Sequence, residues 1–204
     1  MGFYSDHVVP QLVHLAMRNR RLLPYRERVI SAAQGRVLEI GIGSGLNLPL
    51  YSQQAEEIIG LDPAPRLLAR ARDASNRLSL PVRFIEGSAE AIPLEDKSMD
   101  TVVTTWTLCT IPDVVQALGE VHRVLRPDGQ LLFVEHGLAP DANVRKWQAW
   151  LTPAWKRIGG GCHLNRPIRS LIEQTGFGII ALEVGYMQGP KPMTFLYEGR
   201  AEPR

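Results

Sequence analysis

Three glycines and an aspartate in the first third of the chain stand out by their spacing. Gly41, Gly43 and Gly45 directly follow the apolar run 37–40, and Asp62 ends a second apolar run 19 residues after Gly43. Glycines leave the backbone bare, so that a ligand can lie against it where the next helix begins. A carboxylate at the tip of the neighbouring strand can accept hydrogen bonds from both hydroxyls of a ribose. The combination therefore predicts a site for a nucleoside cofactor.

The spacing of the glycines distinguishes between nucleoside cofactors. A dinucleotide site has the pattern G-x-G-x-x-G, in which the pyrophosphate lies at the helix N-terminus. Here the sixth position is Leu46, and the acid Glu39 precedes the loop. Because a carboxylate repels a pyrophosphate and attracts cations, Glu39 favours a cofactor that carries an amine and a sulfonium. The chain also lacks the pattern G-x-x-x-x-G-K-[ST], which disfavours a P-loop.

Further candidate contacts follow the third and fourth predicted strands. Ser88 and Ala89 lie where an adenine edge would be, although a loop that caps a short helix explains them equally well. Thr105 and Trp106 end the fourth strand, where backbone carbonyls could hold a cofactor ammonium; a β-rich strand exit is the alternative. Two residues beside these motifs complete the predicted cofactor contacts: Asn47 and Pro63.

Two histidines are candidates for the chemical step. His136 ends the fifth predicted strand, where an imidazole that titrates near neutral pH could take a proton from a substrate or orient an anion. His163 is the second candidate. Its neighbour Cys162 offers a further ligand atom, but two adjacent ligands without a partner pair do not have zinc spacing, so we predict no metal site. Cys109 lies in an apolar context that is typical of a small buried side chain.

Composition limits the class of protein. A hydrophobic fraction of 45% and a formal charge of +2 over 204 residues are typical of one globular domain, and they do not favour a nucleic-acid partner. No apolar run approaches the roughly 20 residues of a membrane span, and no signal peptide is evident. The two cysteines lie far apart and do not suggest a disulfide, so a cytoplasmic location is expected.

The elements that must position these residues alternate along the chain. Strands are predicted at 36–40, 57–61, 82–86, 101–105, 130–135, 178–184 and 193–198. Helices are predicted at 5–20, 24–33, 46–52, 64–77, 112–125, 141–157 and 167–175. This order predicts an α/β fold, a Rossmann-like, doubly wound, mostly parallel seven-stranded sheet with helices on both faces and an antiparallel last strand. The ligand is expected at the carboxyl ends of the strands.

The single domain, 1–204, is divided by function into four parts. We expect an N-terminal helical cap (1–34), a cofactor-binding core (35–135), a substrate-side cap (136–166) and the C-terminal part of the sheet (167–204). The first helix, together with segment 138–166, is expected to close over the cofactor. Two residues at its start, Tyr4 and His7, are candidate substrate or lid residues, as are Trp106 and Cys109.

Segment 145–169 combines basic and aromatic residues. It contains six lysines and arginines and three tryptophans: Arg145, Lys146, Trp147, Trp150, Trp155, Lys156, Arg157, Arg166 and Arg169. The favoured interpretation is a solvated helix whose tryptophans pack on the sheet. The alternative is a surface that contacts an anionic membrane interface.

The ordered motifs resemble class I S-adenosylmethionine (SAM) dependent methyltransferases. The resemblance covers roughly residues 35–135 and rests on the glycine loop, Asp62 and the segments 87–90, 99–103 and 125–129. It implies SAM as cofactor and S-adenosylhomocysteine as product. The chain departs from the pattern at Ser88, where many relatives carry an acid that contacts the adenine amino group.

A narrower resemblance connects the chain with the methyltransferase-like protein seven group. It is carried by the segments 107–111, 135–136, 151–155 and 161–166. It implies methyl transfer to a small thiol such as hydrogen sulfide or methanethiol. Similar bacterial proteins are phospholipid N-methyltransferases, so a lipid amine is the alternative acceptor, and a SAM-binding protein without catalysis is a third hypothesis. The N-terminal membrane anchor of vertebrate members is not expected here.

Overall fold

A single seven-stranded sheet organises the protein in the computed structural model, which describes residues 9–204. The strands are β1 (Gly35–Ile40), β2 (Ala55–Asp62), β3 (Val82–Glu86), β4 (Met99–Thr105), β5 (Leu125–His136), β6 (Phe177–Tyr186) and β7 (Phe195–Pro203). Their order is β3-β2-β1-β4-β5-β7-β6, and β7 is antiparallel to both of its neighbours. All other pairings are parallel. The predicted sheet and its antiparallel last strand are therefore confirmed.

Six α-helices are described: α1 (Val9–Met17), α2 (Leu23–Ile30), α3 (Pro65–Ser75), α4 (Val114–Val124), α5 (Ala142–Ile158) and α6 (Ile168–Gln174). The predicted helix at 46–52 is wrong, because only the 3₁₀ turn Leu48–Leu50 forms there. Pro49 has no amide to donate, and the Asn47 side chain bonds elsewhere. Among the described helices, none combines the length and the apolar composition of a membrane-spanning segment.

Side chains of the sheet alternate between two apolar layers. On β1, Val37 packs in a cluster with Val29 and Ile30 of α2, and the next residue, Leu38, packs in a cluster that includes Leu118 of α4. Helix α3 covers the same face as α2, and α6 the same face as α4. Because hydrophobic helices cover both faces, the polar groups of the site can gather only at the strand ends.

Two segments enclose the carboxyl edge of the sheet. Helix α1 reaches the glycine loop, since Nδ1 of His14 lies 2.6 Å from Oγ of Ser44. Helix α5 is held against the strand ends by buried Gln148, which donates to the Gly137 carbonyl at 2.9 Å and accepts from the Ala139 amide at 3.0 Å. Closure of these segments over the cofactor stays a prediction. Tyr4 and His7 lie outside the described residues.

The exposed face of α5 corrects one prediction. Val144, Gln148 and Thr152 form the buried side of this helix, and their spacing of four places them on one face. Trp147 and Trp150 therefore point the other way and are 56% and 70% exposed. The expectation that the tryptophans of this segment pack on the sheet is wrong for these two residues.

Candidate active site

The glycine loop, residues 41–45, turns the chain sharply after β1. Gly41, Gly43 and Gly45 have φ angles of 69°, 57° and 76°, a region that side chains strongly disfavour. A Cβ on Gly41 would overlap the side chain of Thr107. For Gly43, the nearest atom to such a Cβ is the Gly41 carbonyl oxygen at 3.9 Å. The backbone of Gly43 is therefore the part of the loop that a ligand can approach.

Asp62, at the tip of β2, fastens the glycine loop to that strand. Its Oδ2 accepts a hydrogen bond from the Gly43 amide at 2.9 Å, and its Oδ1 accepts one from the Ala64 amide at 2.8 Å. Burial raises the pKa of the Asp62 carboxyl, and the two amide hydrogen bonds oppose that shift. Each carboxylate oxygen can still accept a further hydrogen bond. The predicted contact with a ribose is compatible with this geometry. Pro63 lies between Asp62 and Ala64 in the same turn.

A buried polar network lies behind the loop and centres on Glu39. Asn47 donates to one Glu39 oxygen at 2.7 Å and to the Thr105 hydroxyl at 3.0 Å. The Tyr51 hydroxyl donates to the other Glu39 oxygen at 2.8 Å, and Arg26 of α2 donates to the Asn47 side chain. The structure thus joins three predicted cofactor residues in one network. Arg26 and Tyr51 were not predicted.

Burial dominates the electrostatics of this network. It raises the pKa of Glu39 to about 7, although the hydrogen bonds from Tyr51 and Asn47 and the charge of Arg26 all favour the carboxylate. Burial also lowers the pKa of Arg26. A cation bound nearby would favour the ionised form of Glu39 further. The network therefore suits a positively charged ligand, as the sequence predicts.

Trp106 follows β4 with a strained backbone. Its φ of 52° is unusual for a bulky residue and is typical of functional sites. The guanidinium carbon of Arg26 lies 5.0 Å from the centroid of the Trp106 ring. The next amide, that of Thr107, donates to Glu135 at 3.0 Å. This position, between the Glu39 network and the tip of β5, is compatible with the predicted role beside the substrate.

Ser88 and Ala89 follow β3, at the predicted adenine end. The Ser88 hydroxyl donates to the Glu90 carboxylate at 2.8 Å and accepts from the Glu90 amide at 3.2 Å. Ala89 is buried in the core. These contacts are those of a polar turn, the simpler of the two interpretations, and an adenine contact here stays a prediction.

Three chemically reactive side chains meet at the tips of β4 and β5. The sulfurs of Cys109 and Cys162 are 3.6 Å apart, and the Cys162 sulfur lies 3.4 Å from Nε2 of His136. The hydrogen bond between the two thiols, with help from His136, lowers the pKa of Cys162 to about 5; the same bond, with burial, raises the pKa of Cys109. The pair as a unit therefore loses its first proton below the usual range of a thiol.

Two buried charged residues surround this cluster. Arg166 donates to the backbone carbonyls of Leu108 and Ile111. Burial lowers the pKa of Arg166, while both cysteines and Glu135 attract its charge. Burial likewise raises the pKa of Glu135 to about 7. Neither was predicted as a site residue, because each acquires its partners only through the folded chain; Arg166, expected in a solvated basic segment, is buried.

His163 lies beside the cluster and contacts the backbone of Cys109. Its Nδ1 is 3.2 Å from the Cys109 carbonyl oxygen. Burial and the charge of Arg166 lower the pKa of His163. A catalytic role for either histidine stays a prediction, but the structure places only His136 among other reactive groups.

Comparison with known proteins identifies the family. A family profile described as a methyltransferase domain matches residues 38–133, which contain the glycine loop and Asp62. The thiol S-methyltransferase TMT1B of Homo sapiens is 36% identical over 177 residues, which cover 83% of this chain and 70% of that protein. The chain belongs to the SAM-dependent methyltransferases. SAM is accordingly the cofactor of this methyltransferase, and the predicted family and cofactor are confirmed.

The other matches cover different shares of the matched proteins' own length. The TMT1B protein of Rattus norvegicus is 39% identical over 72% of this methyltransferase, but the match spans only 62% of the rat protein. A phosphatidylethanolamine N-methyltransferase of Cereibacter sphaeroides is 36% identical over 52% of this chain and 53% of that protein. The crystal structure of YcgJ from Bacillus subtilis, at 19% identity, covers 91% of this chain and 96% of its own with a TM-score of 0.66. That likeness confirms the fold.

Proposed function

We propose that this methyltransferase transfers a methyl group from SAM to a small thiol such as hydrogen sulfide or methanethiol. The observation that carries the proposal is the 36% identity with human TMT1B across 83% of the chain. The position of His136 at the tip of β5, with its Nε2 3.4 Å from the Cys162 sulfur, is compatible with a proton acceptor for a small substrate.

The chemistry requires little from the protein beyond positioning. Bound SAM supplies a methyl group on a positively charged sulfur. Residues of the site must hold an acceptor sulfur in line behind that methyl group and exclude water, which can contribute about 7–11 kcal/mol. The nucleophile is the thiolate and not the thiol, so the acceptor needs one group of the site to take its proton. His136 is the first candidate for that role and His163 the second.

The direct test is product formation with purified protein and SAM. We expect methylated product and S-adenosylhomocysteine, measured by mass spectrometry, with hydrogen sulfide or methanethiol as acceptor. Methylation of phosphatidylethanolamine vesicles without methylation of thiols would replace this proposal by the lipid alternative. Binding of SAM without product from any thiol, amine, phenol or lipid would indicate a protein that binds SAM but does not catalyse transfer.

We also propose that the exposed face of α5 contacts an anionic membrane interface. The rings of Trp147 and Trp150 pack edge to face with centroids 5.6 Å apart, and Ile158 continues the apolar face. Exposed basic residues flank it: Arg145, Lys146, Lys156 and Arg157. Tryptophan with flanking lysine and arginine is the composition of interfacial helices.

Vesicle co-sedimentation tests this contact. We expect binding to vesicles that contain phosphatidylglycerol, weaker binding to pure phosphatidylcholine, and loss of binding when Trp147 and Trp150 are both replaced by alanine. The matched control replaces Ile180 and Val184 of β6 by alanine, since these apolar side chains are also exposed. Equal binding by both double variants would refute the proposal.

A further inference from the structure

Cys109, His136 and Cys162 form a compact set of ligand atoms that the described mechanism does not fully use. Their nearest ligand atoms all lie within 4.8 Å of one another. His136 ends β5, Cys109 follows β4 by a short turn, and Cys162 comes from the loop after α5. Three separate segments therefore bring two sulfurs and one imidazole nitrogen together at the carboxyl edge of the sheet.

Two of the three distances within this set are close to those between ligands of one metal ion, and the third, between the Cys109 sulfur and a His136 ring nitrogen, is at most 4.8 Å. Zinc–sulfur and zinc–nitrogen bonds in a tetrahedral site imply separations of about 3.8 Å between two sulfurs and about 3.6 Å between sulfur and nitrogen. The observed separations are 3.6 Å for the two sulfurs and 3.4 Å for the Cys162 sulfur and His136 Nε2. Both distances are short by about 0.2 Å, which small side-chain rotations would supply.

We propose that Cys109, Cys162 and His136 bind a thiophilic divalent cation of the zinc class, with the fourth position open to the sulfur of the methyl acceptor. Thiolates and imidazole select zinc-class ions over magnesium or calcium. Three protein ligands with one open position are typical of catalytic rather than structural zinc sites. His136 and Cys162 retain 6% and 8% exposure and Cys109 only 2%, so the approach is from the His136 and Cys162 side. With the metal bound, His136 is a ligand and no longer the proton acceptor, and the cation would itself favour the thiolate form of the acceptor. The assignment of the fourth ligand rests on the proposed thiol methylation; the metal site does not.

Cobalt substitution tests the site without any measurement of activity. The chain has two cysteines, both in this set, so a thiolate-to-cobalt charge-transfer band can arise nowhere else in the protein. Reduced, chelator-treated protein titrated with Co²⁺ under anaerobic conditions should give such a band at one equivalent, with the strong visible absorption of a tetrahedral centre. Zn²⁺ should displace the cobalt. The absence of a charge-transfer band at excess Co²⁺ would overturn the proposal.

Variants and a second measurement separate the individual ligands. Cys109→Ser and Cys162→Ser should each halve the band, and His136→Ala should weaken cobalt binding by at least about tenfold. The control His163→Asn alters the neighbouring histidine and should leave the spectrum unchanged. On unmodified protein, Zn²⁺ should protect both thiols from a disulfide reagent. Formation of a Cys109–Cys162 disulfide in the presence of saturating Zn²⁺ would instead identify a redox pair and refute the metal site.

Addition of methanethiol to the cobalt protein tests the fourth position. A shift of the charge-transfer band would support binding of the acceptor sulfur to the metal, and an unchanged spectrum on a cobalt-loaded protein would remove that role. Methylation of thiols by protein that binds no cobalt would refute the metal site and leave the proposed function standing. Cobalt binding by protein that methylates no thiol would support the metal site and refute the proposed function.

Discussion

Replacement of Asp62 by alanine probes the cofactor site most directly. The carboxylate accepts hydrogen bonds from the amides of Gly43 and Ala64, and each of its oxygens has a second lone pair for a ribose hydroxyl. The substitution removes both predicted ribose contacts and also releases the glycine loop from β2. The free energy of SAM binding should therefore decrease by more than the free energy of unfolding does.

The size of the effect follows from the number and charge of these bonds. A hydrogen bond to an ionised group contributes about 1.5–3 kcal/mol. Loss of two such bonds corresponds to about 3–6 kcal/mol, or a factor of about 10² to 10⁴ in dissociation constant. Asp62→Asn keeps one carbonyl oxygen, so it should lose one bond and weaken SAM binding by a factor of about 10 to 10².

Isothermal titration with SAM and with S-adenosylhomocysteine measures these constants. The control is Asp73→Ala, because Asp73 lies on the exposed face of α3, and we expect it to bind both ligands like the unmodified protein. Burial raises the pKa of Asp62, so SAM affinity of the unmodified protein should fall as the pH is lowered through that pKa, and the asparagine variant should lack this decrease. If Asp62→Ala, shown to be folded by circular dichroism, kept the unmodified affinity, the ribose assignment would be wrong.

Three further substitutions test the loop, the buried carboxyl and the histidine. The positive φ of Gly43 should cost Gly43→Ala roughly 1–2 kcal/mol of stability, and the loss in free energy of SAM binding should be larger than that. The control Gly119→Ala in α4, with open space around it, should bind SAM normally in the same titration. Since the pKa of Glu39 is raised from 4.5 to about 7, its stabilising contribution is complete below pH 4.5 and declines as the pH rises to 7. The free energy of unfolding of Glu39→Gln, relative to that of the unmodified protein, should therefore increase by roughly 3 kcal/mol between pH 5 and 8. Denaturant unfolding at both pH values measures it, and the same difference between the two proteins at both pH values would contradict this prediction. His136→Ala should lower kcat for thiol methylation by about 10² or more with unchanged SAM affinity, and equal turnover across the pH range would exclude His136 from the chemistry.

Local patterns explain why most of the fold was predictable. Every predicted strand overlaps an observed one, because apolar runs of this length between turn residues must be buried and must pair their backbone groups. The glycine loop and Asp62 were recognisable for a similar reason. The positive φ angles of the loop require glycines at closely spaced positions, and the carboxylate that anchors the loop lies at the end of the adjacent strand. The predicted helix at 46–52 failed because Asn47 uses its side chain on Glu39, a partner that local propensity does not represent.

The sequence alone determined the class of the protein. Short stretches of sequence encode the alternation of elements, the cofactor loop and the acid on the next strand. Only the tertiary structure decided which reactive groups meet. Cys109 and Cys162 are 53 residues apart, and His136 lies 26 residues from Cys162. They converge because parallel pairing of β4 with β5 aligns the carboxyl ends of the two strands, while buried Gln148 of α5 holds the helix that leads to Cys162 against the same edge. Contacts of this kind depend on the packing of whole elements, and no spacing along the chain specifies them.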